Sequence, residues 1–200
     1  MTNQIIEVQK RLEDLEALCT MVIDSLPEFE VTSEEALPLG LKPHTRSVSW
    51  IVEQVINQRF RALEENLDLK QLDIDVADTA LHDLSFKNKN NSYYVNIKTH
   101  QSKGKKNKND ISAVEKLYKA YASDPNFNLY YAAFGIEIKQ LERKIKFIPK
   151  DLVVFSPQFM PIYVNPRNDK LQAYYVHEPE FRSREEFLKI LVESSKSIKL

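Results

Sequence analysis

The sequence predicts a single mixed α/β domain. Two long segments in the first third carry apolar residues at helical spacing. After them, two short apolar strands alternate around a polar link, with side chains of one period on one face. Leu129 to Ile138 is an unbroken apolar run with the character of a buried central strand. Two hundred residues suit one domain with a sizeable core.

Taken in order, Gln4 to Leu26 reads as a helix. Ile5, Val8, Leu12, Leu15, Cys19 and Val22 alternate spacings of three and four, which is an a/d seam. Ile6, Leu18, Met21 and Ile23 widen the stripe. So short a seam suits a core helix and a dimer helix equally. Pro27 to Pro43 reads as a loop. Ser47 to Asn66 is a second helix, with Ser47 or Ser49 as N-cap and Trp50, Ile51, Val55, Ile56 and Leu63 on its buried side.

Leu69 to Phe86 carries Asp73, Asp75, Asp78 and Asp83 into the first strand of the pair. Lys87 to Ser92 suits a hairpin link, and Tyr93 to Lys98 is the second strand. Ile111 to Tyr121 is a helix capped near Asn109 or Asp110. Lys144 to Ile148 and Leu152 to Phe155 are two short strands. Ile162 to Val164 and Leu171 to Val176 flank a polar turn, Asn165-Pro166-Arg167-Asn168-Asp169. Arg184 to Ile198 closes the chain as a helix, with Phe187, Leu188, Leu191 and Val192 on its apolar face.

Composition excludes several classes. One cysteine, Cys19, allows neither a disulfide framework nor a Cys-rich zinc site. Three glycines leave no phosphate-cradling loop, and no Gly-x-Ser-x-Gly elbow is present. His44, His82, His100 and His177 lack metal-ligand spacing. No apolar run approaches the ~20 residues that span a bilayer, and no signal-peptide pattern is visible, so the cytoplasm is the expected location. The net charge is −1, yet Lys103, Lys105, Lys106 and Lys108 crowd one short loop. Such a strip can follow a phosphate backbone even on a neutral protein.

The strand pair carries the chemistry. Asp83 opens the first strand. Asn96 and Lys98 lie two apart on the second, so both face the same way while Ile97 points into the core. A hairpin brings Asp83 beside them. A carboxylate, a second oxygen ligand and a lysine on one edge can hold a hard divalent cation over a phosphodiester. Glu53 on the second helix is either a surface carboxylate or a further member of this group.

Asp83-x12-Asn96-x-Lys98 is similar to the PD-(D/E)xK nuclease pattern, with His82 where that pattern has proline and Asn96 where it has an acid. Asn96-Ile97-Lys98-Thr99-His100 resembles the Asp-x-Lys-Thr segment of EcoRV- and HincII-type restriction endonucleases. Asn109-x-Ile111-Ser112-Ala113, Asp151-Leu152-Val153-Val154, Ile162-Tyr163-Val164-Asn165 with Gln172, and Arg184 to Lys189 resemble later HincII-type segments in the same order. The similarity covers roughly Ala77 to Leu191.

The resemblance implies a restriction-endonuclease-like fold, a central mixed β-sheet flanked by helices. It also implies a homodimeric, Mg²⁺-dependent type II restriction endonuclease acting on double-stranded DNA. Asp83 and Asn96 would hold the metal and Lys98 would contact the scissile phosphate and attacking water. Asn109 aligns with a base-contacting asparagine. Asn165, Arg167, Asn168 and Asp169 align with the loop that reads the major groove, where their side-chain types suit base edges. Gln101, Lys103, Lys105, Lys106 and Lys108 would run along the backbone and set register. The chain, 1–200, is then one nuclease domain: 1–45 an N-terminal helix and loop with a dimer role, 46–155 the catalytic core, and 156–200 the reading loop and last helix.

Asn96 departs from the pattern, because an amide carries no charge. Three readings stay open. It can be an engineered Asp→Asn replacement, isosteric and uncharged, that traps DNA uncut. A missing acid can come from Glu115 or, second, Glu53. Or the chain is a relative that binds DNA without cutting it; a repair or recombination nuclease of the same fold is a further alternative.

Overall fold

The computed structural model of the chain describes residues 3–32, 45–74, 80–102, 108–111, 113–141, 144–175 and 177–195. Helix α1 (Asn3–Ser25) is followed by strand β1 (Phe29–Thr32) and helix α2 (Thr45–Ala62). Strands β2 (Lys70–Asp73), β3 (Leu84–Asn88), β4 (Asn91–Gln101) and β5 (Lys108–Asp110) lead into helix α3 (Val114–Ser123). The long strands β6 (Leu129–Leu141) and β7 (Lys144–Phe155) follow, then β8 (Ile162–Val164), β9 (Leu171–Tyr174) and helix α4 (Arg184–Ser194).

Six strands form a mixed sheet in the order β1-β7-β6-β4-β3-β2, and β5-β9-β8 form a second, small sheet. Among the described residues only β4 and β6 run parallel. Parallel neighbours need a crossover, and α3 lies on that connection. β3 and β4 are antiparallel and meet at Lys89-Asn90, both at positive φ (48° and 73°), the backbone of a two-residue hairpin turn. The predicted link was longer; both strands extend into it.

The sheet's two faces differ. Tyr93, Val95 and Ile97 of β4 are fully buried beneath α2 and α1. Phe60 of α2 stacks on Phe86, Phe86 on Tyr93, and Tyr93 packs against Tyr130, so one aromatic row crosses from helix to central strand. The seam of α1 buries Ile5, Val8, Leu15, Cys19 and Val22 against β6 and β7 of its own chain.

Several expectations need correction. The loop predicted over 27–43 contains β1, which pairs with the first residues of β7. The two short strands over 144–155 are one strand with a bulge: Gly135 faces Asp151, Ile136 faces Pro149, and Lys150 is the extra residue. Helix α2 begins at Thr45, so Ser47 and Ser49 are inside it. Asn109 and Asp110 belong to β5, and Ala113, with a left-handed φ of 47°, precedes α3. On α2 the buried row is Val52, Ile56 and Phe60, whereas Trp50 is 62% exposed. No helix among the described residues is long and apolar enough to cross a membrane.

Arg184, at the start of α4, holds the other face together. Its guanidinium is buried and donates to the carbonyls of Tyr121 (2.8 Å), Asp124 (3.1 Å), Pro125 (2.8 Å) and Phe127 (2.6 Å), while lying 4.8 Å from the Tyr121 ring centroid. These carbonyls close the turn between α3 and β6, where a helix end leaves its acceptors unpaired. Arg184→Met is expected to lose about 3 kcal/mol or more of stability, since several buried acceptors lose a charged donor together. A urea melt checks this; a loss within about 0.5 kcal/mol, ordinary for a surface change, contradicts it.

Candidate active site

β4 outlasts β3. The ladder between them ends at Leu84 opposite Val95, and beyond Val95 the β4 edge has no strand beside it among the described residues. The Ile97 amide on that edge is met by a side chain instead: Asp83 Oδ2 accepts its hydrogen bond at 2.6 Å. The Asp83 amide itself donates to Val95 (2.9 Å). Asp83 is thus fixed at the fork where the two strands part.

Lys98 and Asn96 point into this fork. Lys98 Nζ stands 4.0 Å from Asp83 Oδ2, with both side chains partly exposed. Asn96 is buried; its Nδ2 donates to the Leu81 carbonyl at 3.1 Å, which fixes the amide's orientation. Its Oδ1 is then a buried acceptor without a donor. Such an oxygen calls for a partner that no described residue supplies.

Glu53 reaches the same fork from α2. Burial pushes its carboxyl above the usual carboxylate range, the Lys98 ammonium pulls it down, and the Asp83 carboxylate pushes it up. Asp83 is raised too, chiefly by burial; Lys98, the Ile97 amide and His82 oppose the shift. Glu115 shows no tie to the fork among the described residues. It is exposed in the first turn of α3 with its carboxylate 2.6 Å from Lys119 Nζ, a pairing that holds its pKa below the usual range. The fork therefore gathers Asp83, Asn96, Lys98 and Glu53, and leaves Glu115 out.

Among the described residues no cluster of three or more His, Cys, Asp or Glu side chains forms a metal site. The fork fits a hard cation in another way. Its donors are all oxygens: the Asp83 carboxylate, the unpartnered Asn96 amide oxygen, and Glu53 alongside. Oxygen-only sets of mixed charge suit Mg²⁺, which keeps several waters and takes few protein ligands.

The same face of β4 continues to His100. Its Nε2 lies 2.9 Å from Asp151 Oδ1, two strands away on β7. The row His100–Gly135–Asp151 crosses β4, β6 and β7 in register. The pair can meet only because β6 has glycine between them; a Cβ at Gly135 would sit 2.0 Å from Asp151 Oδ1. The bulge at Lys150 turns Asp151 to the task. Asp151 escaped the sequence reading because its relation to His100 exists only in the sheet register.

The remaining predicted residues lie at the end of β4, on β5 and in the β8–β9 turn, or outside the described residues. Gln101 is exposed at the end of β4. Lys108, on β5, lies 5.5 Å from the ring centroids of both Tyr163 and Tyr174. Asn109 sits opposite Ala173 with Nδ2 unpartnered. In the β8–β9 turn the side-chain oxygens of Asn165 and Asn168 accept from the amides of Arg167 (3.0 Å) and Lys170 (3.2 Å). These two side chains shape the turn; Arg167 and Asp169 are exposed upon it. Lys103, Lys105 and Lys106 lie outside the described residues, as do Asp75 and Asp78.

Neither a family model nor a curated protein matches the sequence. Among solved structures, one titled NlaIV restriction endonuclease superposes with a TM-score of 0.57 at 14% identity, over 93% of this chain and 78% of that one. The chain has a restriction-endonuclease-like fold.

Two outcomes follow from this geometry. The native state binds the Asp83 proton more tightly than the unfolded chain, whose ordinary value is 3.8. Stability is therefore lost as pH rises from there and stays lost at neutral pH. Asp83→Asn, which keeps an acceptor for Ile97, is expected to raise Tm at neutral pH and to lose that advantage below about pH 3. Melting curves at both pH values check it, and a lowered Tm at neutral pH contradicts it. Gly135→Ala is expected to displace Asp151 from His100 and to cost about 1–3 kcal/mol, as overpacking does; denaturant titration reads the loss, and an unchanged midpoint contradicts it.

Proposed function

We propose that the protein is a type II site-specific deoxyribonuclease of the EcoRV/HincII kind, hydrolysing phosphodiesters of duplex DNA with Mg²⁺ as a homodimer. One observation carries this reading. A carboxylate and an ammonium stand 4.0 Å apart at a strand edge that has no neighbour among the described residues, with a second carboxylate in electrostatic reach of both. The restriction-endonuclease-like fold supports it.

Asp83, the Asn96 oxygen and Glu53 would hold the cation. When bound, Mg²⁺ supplies Lewis-acid polarisation of the phosphoryl oxygen and a more acidic water. The chain's own residues do the rest. Lys98 places a positive charge where charge develops on the phosphoryl oxygens and favours hydroxide over water beside it. Asp83, held by the Ile97 amide, keeps Lys98 directed into the fork. Lys108 and the exposed residues of the β8–β9 turn contact the duplex, the first by charge and Arg167 by its fit to guanine edges. A two-fold dimer would match a (pseudo)palindromic site.

Asn96 favours a second reading by a specific contact. Its amide donates to the Leu81 carbonyl, and a carboxylate there would set two acceptors against each other at 3.1 Å. The local fold suits asparagine, as a relative that binds DNA without cutting it would require.

Digestion of phage DNA with Mg²⁺ separates the two. The nuclease reading expects discrete bands from Asn96→Asp, formed faster than by the chain as it stands. Lys98→Ala is expected to slow cleavage about 100-fold or more, the scale of losing one electrostatic stabiliser. Absence of cutting by both forms, while both stay folded and bind duplex, overturns the nuclease reading in favour of the binding one.

A further inference from the structure

Resting on the reading of the fork as a duplex DNA site, we propose that Trp50 is a DNA-contacting residue that packs its indole against the sugar and base edges beside the phosphate held at Asp83 and Lys98.

Trp50, Glu53 and Asn57 lie at i, i+3 and i+7 on α2, one stripe of the helix. The stripe runs beside the buried row of Val52, Ile56 and Phe60, at the edge of the helix rather than under it. Helix α2 packs against β4, and Glu53, in the middle of this stripe, is within electrostatic reach of both Asp83 and Lys98, so this edge borders the fork. Asn57, one turn further, is 5% exposed with its Oδ1 unpartnered. Trp50, one turn the other way, is 62% exposed.

An indole this open is unusual on a protein surface, since tryptophan is highly buried on average. Residues three apart on a helix have Cβ atoms about 5–6 Å apart, so the Trp50 and Glu53 side chains start from neighbouring points, closer than a groove is wide. A duplex with a phosphate in the fork must cover that distance. Trp50 then meets the groove wall beside the phosphate. Its apolar body suits deoxyribose and base edges in the groove, and its N–H can donate to an acceptor there. Charge and register are left to Lys98, Lys108 and the β8–β9 turn.

The test uses the fact that Trp50 is the chain's one tryptophan. The whole protein is titrated onto fluorescein-labelled, random-sequence duplex DNA at low salt with EDTA, so no cleavage intervenes. Anisotropy of the label reports binding and tryptophan emission reports Trp50. The expected result is quenching that follows anisotropy to the same midpoint. Trp50→Ala is expected to weaken binding about tenfold, near the low end of what an aromatic contact to a base is worth, with Trp50→Phe recovering most of it. Trp50→Ala binding as tightly as the parent overturns the proposal, whatever the emission does. A parent that shows no anisotropy change overturns the DNA-site reading itself, and this inference falls with it.

Discussion

A single hydrogen bond organises the candidate site: the Ile97 amide donating to Asp83 Oδ2 at 2.6 Å. A strand that continues past its neighbour exposes donors that must be satisfied. Here the neighbour ends and the side chain just before it takes over the role of the missing strand. That substitution places a carboxylate at the divergence of β3 and β4, and every other group is positioned relative to it. Lys98 follows by alternation, Asn96 by the same alternation, and Glu53 because α2 packs beside β4.

The surrounding structure keeps the fork rigid. β4 is bound along its other edge to β6 over eight register pairs, Tyr94 to Gln101, so its exposed end has little freedom. The His100–Asp151 contact adds a tie across three strands, made possible by Gly135 and by the bulge at Lys150. On the far side, Arg184 holds the α3–β6 turn, and Tyr121 packs on Phe127, which packs on Tyr94. The site is thus set by backbone pairing and aromatic packing rather than by loops, which is how a site stays preorganised. Burial at the fork raises both carboxylates while Lys98 lowers them; the site carries unfavourable charge that a cation and a phosphate together would relieve.

Much of this was legible in residue order, for definite reasons. Alternation along Tyr93 to Lys98 put Asn96 and Lys98 on one face, and the hairpin put Asp83 beside them, because both rest on local geometry. The central strand was visible as an apolar run. What escaped was whatever depended on a partner distant in sequence. β1 is a short edge strand that exists because β7 offers a free edge. Pro149-Lys150-Asp151 looked like a break, yet the backbone carries on through a bulge. Asn109 and Asp110 looked like caps and are strand residues because β9 lies beside them. Trp50 was counted as core because tryptophan is apolar, but Val52, Ile56 and Phe60 set the helix phase and turn Trp50 outward. Glu53 and Glu115 could not be ranked from sequence, since only packing decides which helix reaches the fork.

The most direct measurement of the central claim is an anomalous difference map from crystals grown with duplex DNA and Mn²⁺, a cation of the same oxygen preference as Mg²⁺. The account predicts a peak at the fork, coordinated by Asp83 and Asn96 Oδ1, with the DNA phosphate completing the shell. A duplex seated in the crystal with the fork free of manganese, or manganese bound only away from Asp83, would contradict it.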